Sequence, residues 1–178
     1  MPLKSNVRRL NPIMSTESEE ELQRSAVAYI RRHSMHTGQW KFTLLGELHV
    51  QLCEQFATEP EEKVIVSSFR SPESWYVFTT RRLVSMHAGV FAEMEAIQVV
   101  GKEFGNFKGY VPNGAAGTLP TEIGTVEHAE SGATLQLEFE TLYASMAIIY
   151  ACKYWERRAK QLHRAAEIAQ STNAKTDA

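Results

Sequence analysis

Residues 74–89, SWYVFTTRRLVSMHAG, place the narrowest limit on what this chain can fold into. Two runs rich in aromatic and β-branched residues, 75–79 and 83–87, flank the polar corner Thr80-Arg81-Arg82. Such side chains suit a pleated, half-buried surface, so the pattern predicts a β-hairpin. The segments Ser71-Pro72-Glu73-Ser74 and Ala88-Gly89 read as turns that continue the same texture on both sides. Residues 63–70 form one further predicted strand and residues 90–100 one or two more. Residues 122–128 and 133–140 follow, around a turn at Glu130-Ser131-Gly132. The last run alternates, with Leu135, Leu137 and Phe139 on one face. Short strands at this spacing predict an antiparallel sheet, sandwich or small barrel.

The flanking segments read as helical. Thr16-x-x-Glu19 and the overlapping Ser18-x-x-Glu21 are capping boxes, and Glu17, Glu19, Glu20 and Glu21 suit the positive end of a helix dipole. Leu22, Ala26, Tyr29, Ile30 and His33 then share one stripe, and Gly38 closes the segment. Residues 39–56 fit two periods. Trp40, Phe42, Leu44 and Leu48 alternate as in a strand, while Leu45, Leu48, Leu52 and Phe56 form a helical stripe. A strand over the whole stretch would be unusually long, so the expectation is a helix over about 43–57, broken before Pro60. Thr141 is a suitable N-cap for a long helix to about residue 169, with Leu142, Met146, Ile149 and Cys152 or Lys153 as its buried stripe. The division that follows is a loose N-terminus over 1–15, a helical segment over 16–58, the β region with its helix over 60–170, and a tail over 171–178.

Composition narrows the function. The formal net charge is −2, so the chain as a whole does not attract nucleic acid or anionic lipid. Cys53 and Cys152 make no disulfide framework and read as small buried hydrophobes. There is no signal-peptide pattern, and the apolar run over 142–152 is too short for a bilayer, so a soluble, cytoplasmic protein is expected.

Motifs for chemistry are sparse. The glycines of 101–109 lack phosphate-loop spacing and read as turn and bulge positions. His49 and Cys53, and His33 and His36, fall short of the three or four convergent ligands of a zinc site. Ser85, His87 and His128, with Glu127 and Glu138, offer a nucleophile, bases and acids but no nucleophile elbow. No enzyme activity, metal or cofactor is expected. Basic residues interleave with aromatics at Arg81-Arg82 and over 154–164. They read as solvated corner charges and a helix end that complements its dipole, and no nucleic acid is expected. The glycine-rich loop over 106–117 carries Phe107, Lys108 and Tyr110, and large aromatics on a loop suit partner contacts.

The corner over 77–84, VFTTRRLV, resembles the strand–turn–strand signature of bacterial pleckstrin-homology-like (PH-like) domains. Residues 96–100, AIQVV, leading into 105–109, GNFKG, resemble the strands that follow in that family. Residues 135–139, LQLEF, followed at once by a helix, resemble its last strand and cap. The resemblance covers about residues 60–160. It implies an α+β fold, an antiparallel barrel capped by the long C-terminal helix, with the N-terminal helical segment outside it. Lipid-binding members carry several cations on the first strand loop. Here that loop, FRSPES over 69–74, holds Arg70 alone, so phosphoinositide binding is not expected.

The function expected from these readings is a non-enzymatic binding module acting through protein contacts, one version being a small bacterial inhibitor or immunity-type protein. The alternative is a binder of a small ligand or lipid headgroup. Candidate partner-binding residues are Phe107, Lys108, Tyr110, Arg70, Arg81 and Arg82.

Overall fold

The structure, a computed structural model, describes residues 17–111 and 117–176. The loose N-terminus over 1–15, the Thr16 capping box and residues 112–116 of the aromatic loop lie outside them. Helix α1 spans Glu19–His33. Its N-cap is Ser18, whose hydroxyl accepts the Glu21 backbone N–H at 3.2 Å, while the Glu21 carboxylate accepts the Ser18 N–H at 3.0 Å. This reciprocal pair is the predicted capping box. The helix stops at the Ser34 C-cap, short of Gly38.

The helix expected over 43–57 does not form. Strand β1, Thr43–Leu45, pairs antiparallel with β2, Val64–Ser71, and Gly46 then turns with φ +82°. Only a 3-10 turn at Val50–Leu52 is helical. The alternating period was the correct one up to Gly46, where a left-handed glycine ends the extended backbone. The helical stripe had another cause. Leu52 and Phe56 are buried, with Leu48 beside them, against Val64, Trp75, Val77 and Val84, so this irregular segment covers the outer face of the first sheet.

That sheet has the order β1-β2-β3-β4-β5, with β3 over Ser74–Thr79, β4 over Arg82–His87 and β5 over Val90–Glu95. The predicted hairpin is β3–β4, in register Val77↔Val84 and Trp75↔Met86. A second antiparallel sheet, β6-β7-β8, comprises Val99–Glu103, Thr121–His128 and Thr134–Glu140. Leu135, Leu137 and Phe139 are all buried, as the alternation predicts. Strand β8 packs across β3 and β4. Polar side chains lace the seam. Ser85 Oγ donates to the Gln136 carbonyl at 2.9 Å, and the Glu138 carboxylate accepts from Ser74, from Thr121 at 2.5 Å and from Arg70 at 3.0 Å. Among the described residues the two sheets are not joined by strand pairing into a closed barrel.

After a 3-10 turn at Leu142–Ala144, helix α2 runs from Ser145 to Thr176, past the expected tail boundary. Thr141 does not cap it; its hydroxyl donates to the Leu119 carbonyl. The buried face is also rotated from the predicted stripe. Ala144, Ala147, Ile148, Ala151, Cys152 and Trp155 are buried, whereas Leu142 is exposed. Small residues let α2 lie close on the sheets, with the Trp155 ring stacked toward Phe78 at 6.5 Å. Leu22, Ala26 and Ile30 of α1 enter the same core, so α1 is part of the packed body. The α+β class therefore holds, with a long C-terminal helix and an N-terminal helix against two antiparallel sheets. Among the described residues, no helix is long and apolar enough to cross a membrane.

Candidate functional site

Three of the six predicted partner-binding residues converge. Phe107, Lys108 and Tyr110 line a groove of about 390 Å³ together with His33, the last residue of α1, Met35 just past it, Leu142 and Tyr143 of the 3-10 turn before α2, and Met146 in its first turn. Its apolar side chains are conspicuously uncovered: Tyr110 is 66% exposed, Met35 57%, Tyr143 48% and Leu142 45%. Phe107 is half-buried and packs against the main core, so it forms the floor while Tyr110 stands at the rim.

The loop is held in shape by the Asn106 side chain and by its own backbone. The Asn106 side chain donates to the Tyr110 carbonyl at 2.7 Å and accepts the Tyr110 N–H at 2.9 Å. Gly109 N–H donates to the Asn106 carbonyl, and the Gly109 carbonyl accepts from Leu119 N–H at 2.9 Å. Gly109 has φ +65°, and a Cβ there would lie 2.7 Å from the Leu119 carbonyl oxygen and 2.9 Å from Thr141 Oγ1. Only glycine fits both demands. Across the groove, Leu142 N–H donates to the Phe107 carbonyl at 2.8 Å. That bond accompanies a left-handed Leu142, φ +60°, a strained conformation for a branched-chain side chain. With this backbone, both Leu142 and Tyr143 are exposed.

The α1 end is fixed by rings. His33 stacks on Tyr150 at 4.2 Å, and His36 meets Tyr143 edge-on at 4.9 Å. Lys108 Nζ sits 5.9 Å from the ring centroids of both Phe107 and Tyr110. The groove is thus aromatic and apolar with one cation at its margin. Among the described residues, no serine, cysteine or carboxylate lines it.

The other three candidates lie elsewhere, each engaged. Arg70 pairs with Glu138 and lies 5.6 Å over the Phe42 ring. Arg81 donates to Glu19 at 2.9 Å and to Glu59 at 3.2 Å, tying the hairpin to α1. Arg82 is not a solvated corner charge. Its side chain is 18% exposed and forks onto Glu62, whose side chain is fully buried, with bonds of 2.9 and 3.1 Å. It also reaches Glu93 and the Ala57 carbonyl. Burial alone would push the Glu62 carboxyl up. The bonds from Arg82, Thr79 and the Glu59 backbone, with the Arg82 charge, outweigh that and hold it below the usual carboxylate range.

The remaining chemical candidates are also placed. Ser85 is fully buried and spent on the Gln136 carbonyl. His128 Nδ1 accepts the N–H groups of Glu130 and Ser131 in a turn. His49 contacts Gln51, and Cys53 is exposed. Cys152 is buried, which pushes its thiol well up. Among the described residues no cluster of three or more His, Cys, Asp or Glu could hold a metal ion.

Sequence reasoning missed Met35, Leu142, Tyr143 and Met146. Phe107 and Tyr110 were legible as bulky groups among glycines. Leu142 and Tyr143 read as the first turn of a buried helix, because nothing local reveals a left-handed residue before α2. No protein-family model matches the chain, and neither any curated protein nor any solved structure matches it.

Proposed function

We propose that the protein is a non-enzymatic binding module that takes an apolar or aromatic segment of a protein partner into the groove between the 106–110 loop and the start of α2. The observation that carries this reading is the clustering of Met35, Tyr110, Leu142 and Tyr143, all exposed, on a backbone that strain and hydrogen bonds hold open. Aromatic anchors at low conformational cost are the usual source of interface energy. Lys108 at the margin favours a partner segment with a carboxylate beside its apolar anchor. A small bacterial inhibitor of the immunity type is a narrower version of this proposal.

We infer a PH-like arrangement for the body. Four consecutive antiparallel strands β2–β5, then three, β6–β8, then a long helix against the core, is the order of that family, and the resemblance over 77–84 falls on the β3–β4 turn. The absence of pairing that closes the barrel among the described residues counts against its strict form.

Panning a random peptide library against the full-length protein tests the binding reading. The enriched peptides should share an aromatic or aliphatic anchor, and Tyr110→Ala/Tyr143→Ala should weaken them at least tenfold with the melting temperature unchanged. Enriched peptides that bind the double variant equally well would remove the groove from the function.

A further inference from the structure

A second, larger groove of about 700 Å³ lies between α1 and α2, and its character is the opposite of the first. Arg31 and Arg32 approach from α1, and Arg157 and Arg158 from α2, over the rings of Tyr29 and Tyr154, 5.8 Å apart. An adjoining groove of about 470 Å³ shares Tyr29 and Arg157 and adds Lys153, Lys160 and Arg164.

The carboxylates lining these grooves are already engaged. Glu17 accepts from Arg158 at 2.8 Å, and Glu156 accepts the Gly101 N–H at 3.0 Å. Among the described residues, no carboxylate lies within 4.0 Å of Arg31, Arg32, Arg157, Lys160 or Arg164. Tyr154 is half-buried; burial, opposed by Arg158, raises its phenol, which stays a neutral donor.

The helix dipole does not explain these charges. It acts within the last turn of a helix. That accounts for Arg31 and Arg32 at the end of α1, but α2 continues to Thr176, so Arg157, Lys160 and Arg164 lie in its interior. On a molecule of net charge −2, a concentration of cations in a concave site, with no described carboxylate against Arg31, Arg32, Arg157, Lys160 or Arg164, is a departure from the usual mixing of signs. Guanidinium groups offer forked donors that match phosphate oxygens. From Lys153 to Arg164 the helix rises about 17 Å, longer than one phosphate needs. A compact anion there feels mainly the local cations within a Debye length of about 8 Å, whereas an extended polyanion also meets the rest of an acidic molecule.

From these observations we propose that the α1/α2 groove binds a compact anion bearing several phosphate groups. The ligand is either a free polyphosphate compound or a phosphorylated lipid headgroup. Arg31, Arg32, Arg157 and Lys160 contact its phosphates, while Arg158 is oriented by Glu17. This site is separate from the aromatic groove and does not depend on its function.

Calorimetric titration of the full-length protein with inorganic tripolyphosphate at about 0.15 M ionic strength is the test. Saturable binding is expected, weakened at least tenfold in Arg31→Glu/Arg157→Glu. The control Lys41→Glu/Lys102→Glu, which changes the net charge equally at residues lining neither groove, should shift it less than twofold. Co-sedimentation with phosphatidylcholine vesicles carrying a phosphatidylinositol phosphate identifies the lipid source if tripolyphosphate competes the protein off. If neither probe binds, or both double variants lose binding alike, the proposal fails. Binding to single-stranded DNA that tripolyphosphate does not compete would overturn it in favour of a nucleic-acid surface.

Discussion

Glu62 and Arg82 form an ion pair whose carboxylate side chain is fully buried. Removing one partner of a buried pair strands the other, so Glu62→Ala should cost about 3 kcal/mol at neutral pH, measured by urea unfolding. The pH dependence has a definite sign. The folded carboxyl titrates below its ordinary value of 4.5, so its contribution is fully present above about pH 4.5 and is lost as pH falls through the lower folded value. Wild-type stability should therefore decline below pH 4.5 more steeply than that of Glu62→Ala, and parallel declines would show the pair to be idle. The sequence concealed this role for a physical reason. Arg81-Arg82 sits at a hairpin corner, where charges are normally solvated. Only the tertiary return of residues 57–62, with Glu61 at φ +66°, brings a carboxylate beneath it.

At the scale of elements, local pattern and tertiary packing divided the outcome. Strand β8 was readable because its alternation is itself the burial pattern, and the hairpin because its aromatic and β-branched runs suit strands, with β3 buried at every position. The segment over 43–57 was misread because a stripe at helical spacing can also be produced by an irregular cover on a sheet face. In α2 the helix was legible but its rotation was not. Large residues drew the predicted stripe, whereas the close approach to the sheets selects alanines. Ala147→Leu should thus destabilise by about 2 kcal/mol through overpacking. Leu142→Ala should leave stability nearly unchanged, since that side chain is exposed. Equal losses in thermal melts would instead support the rotation read from the sequence. The aromatic groove follows the same logic: its loop half lies in the glycine pattern, and its helix half depends on the strained Leu142.

For the whole molecule, the decisive point is that α1, both sheets and α2 share one core. Ile30 is fully buried in it, at the opposite end of the sequence from Trp155. Ile30→Ala should cost about 3 kcal/mol. Unfolding followed by far-UV circular dichroism and by tryptophan fluorescence should shift together, because Trp75 and Trp155 report the two clusters of a single cooperative body. Separate transitions would show that the N-terminal helix is an appendage, as the sequence division at residue 58 suggested. The same connectivity places the two grooves on one rigid helix pair, with the Tyr29, His33 and Tyr150 rings between them.

The partnership of α1 with α2 also sets a schedule for biosynthesis. A ribosome releases Leu22, Ala26 and Ile30 early, yet α2 emerges only after all eight strands have been made. At about 5–20 residues per second, the apolar stripe of α1 waits on the order of ten seconds for its cover. During that interval the nascent chain presents an apolar helix face to its surroundings, so the yield of folded protein depends on how that stripe is shielded as well as on the final stability.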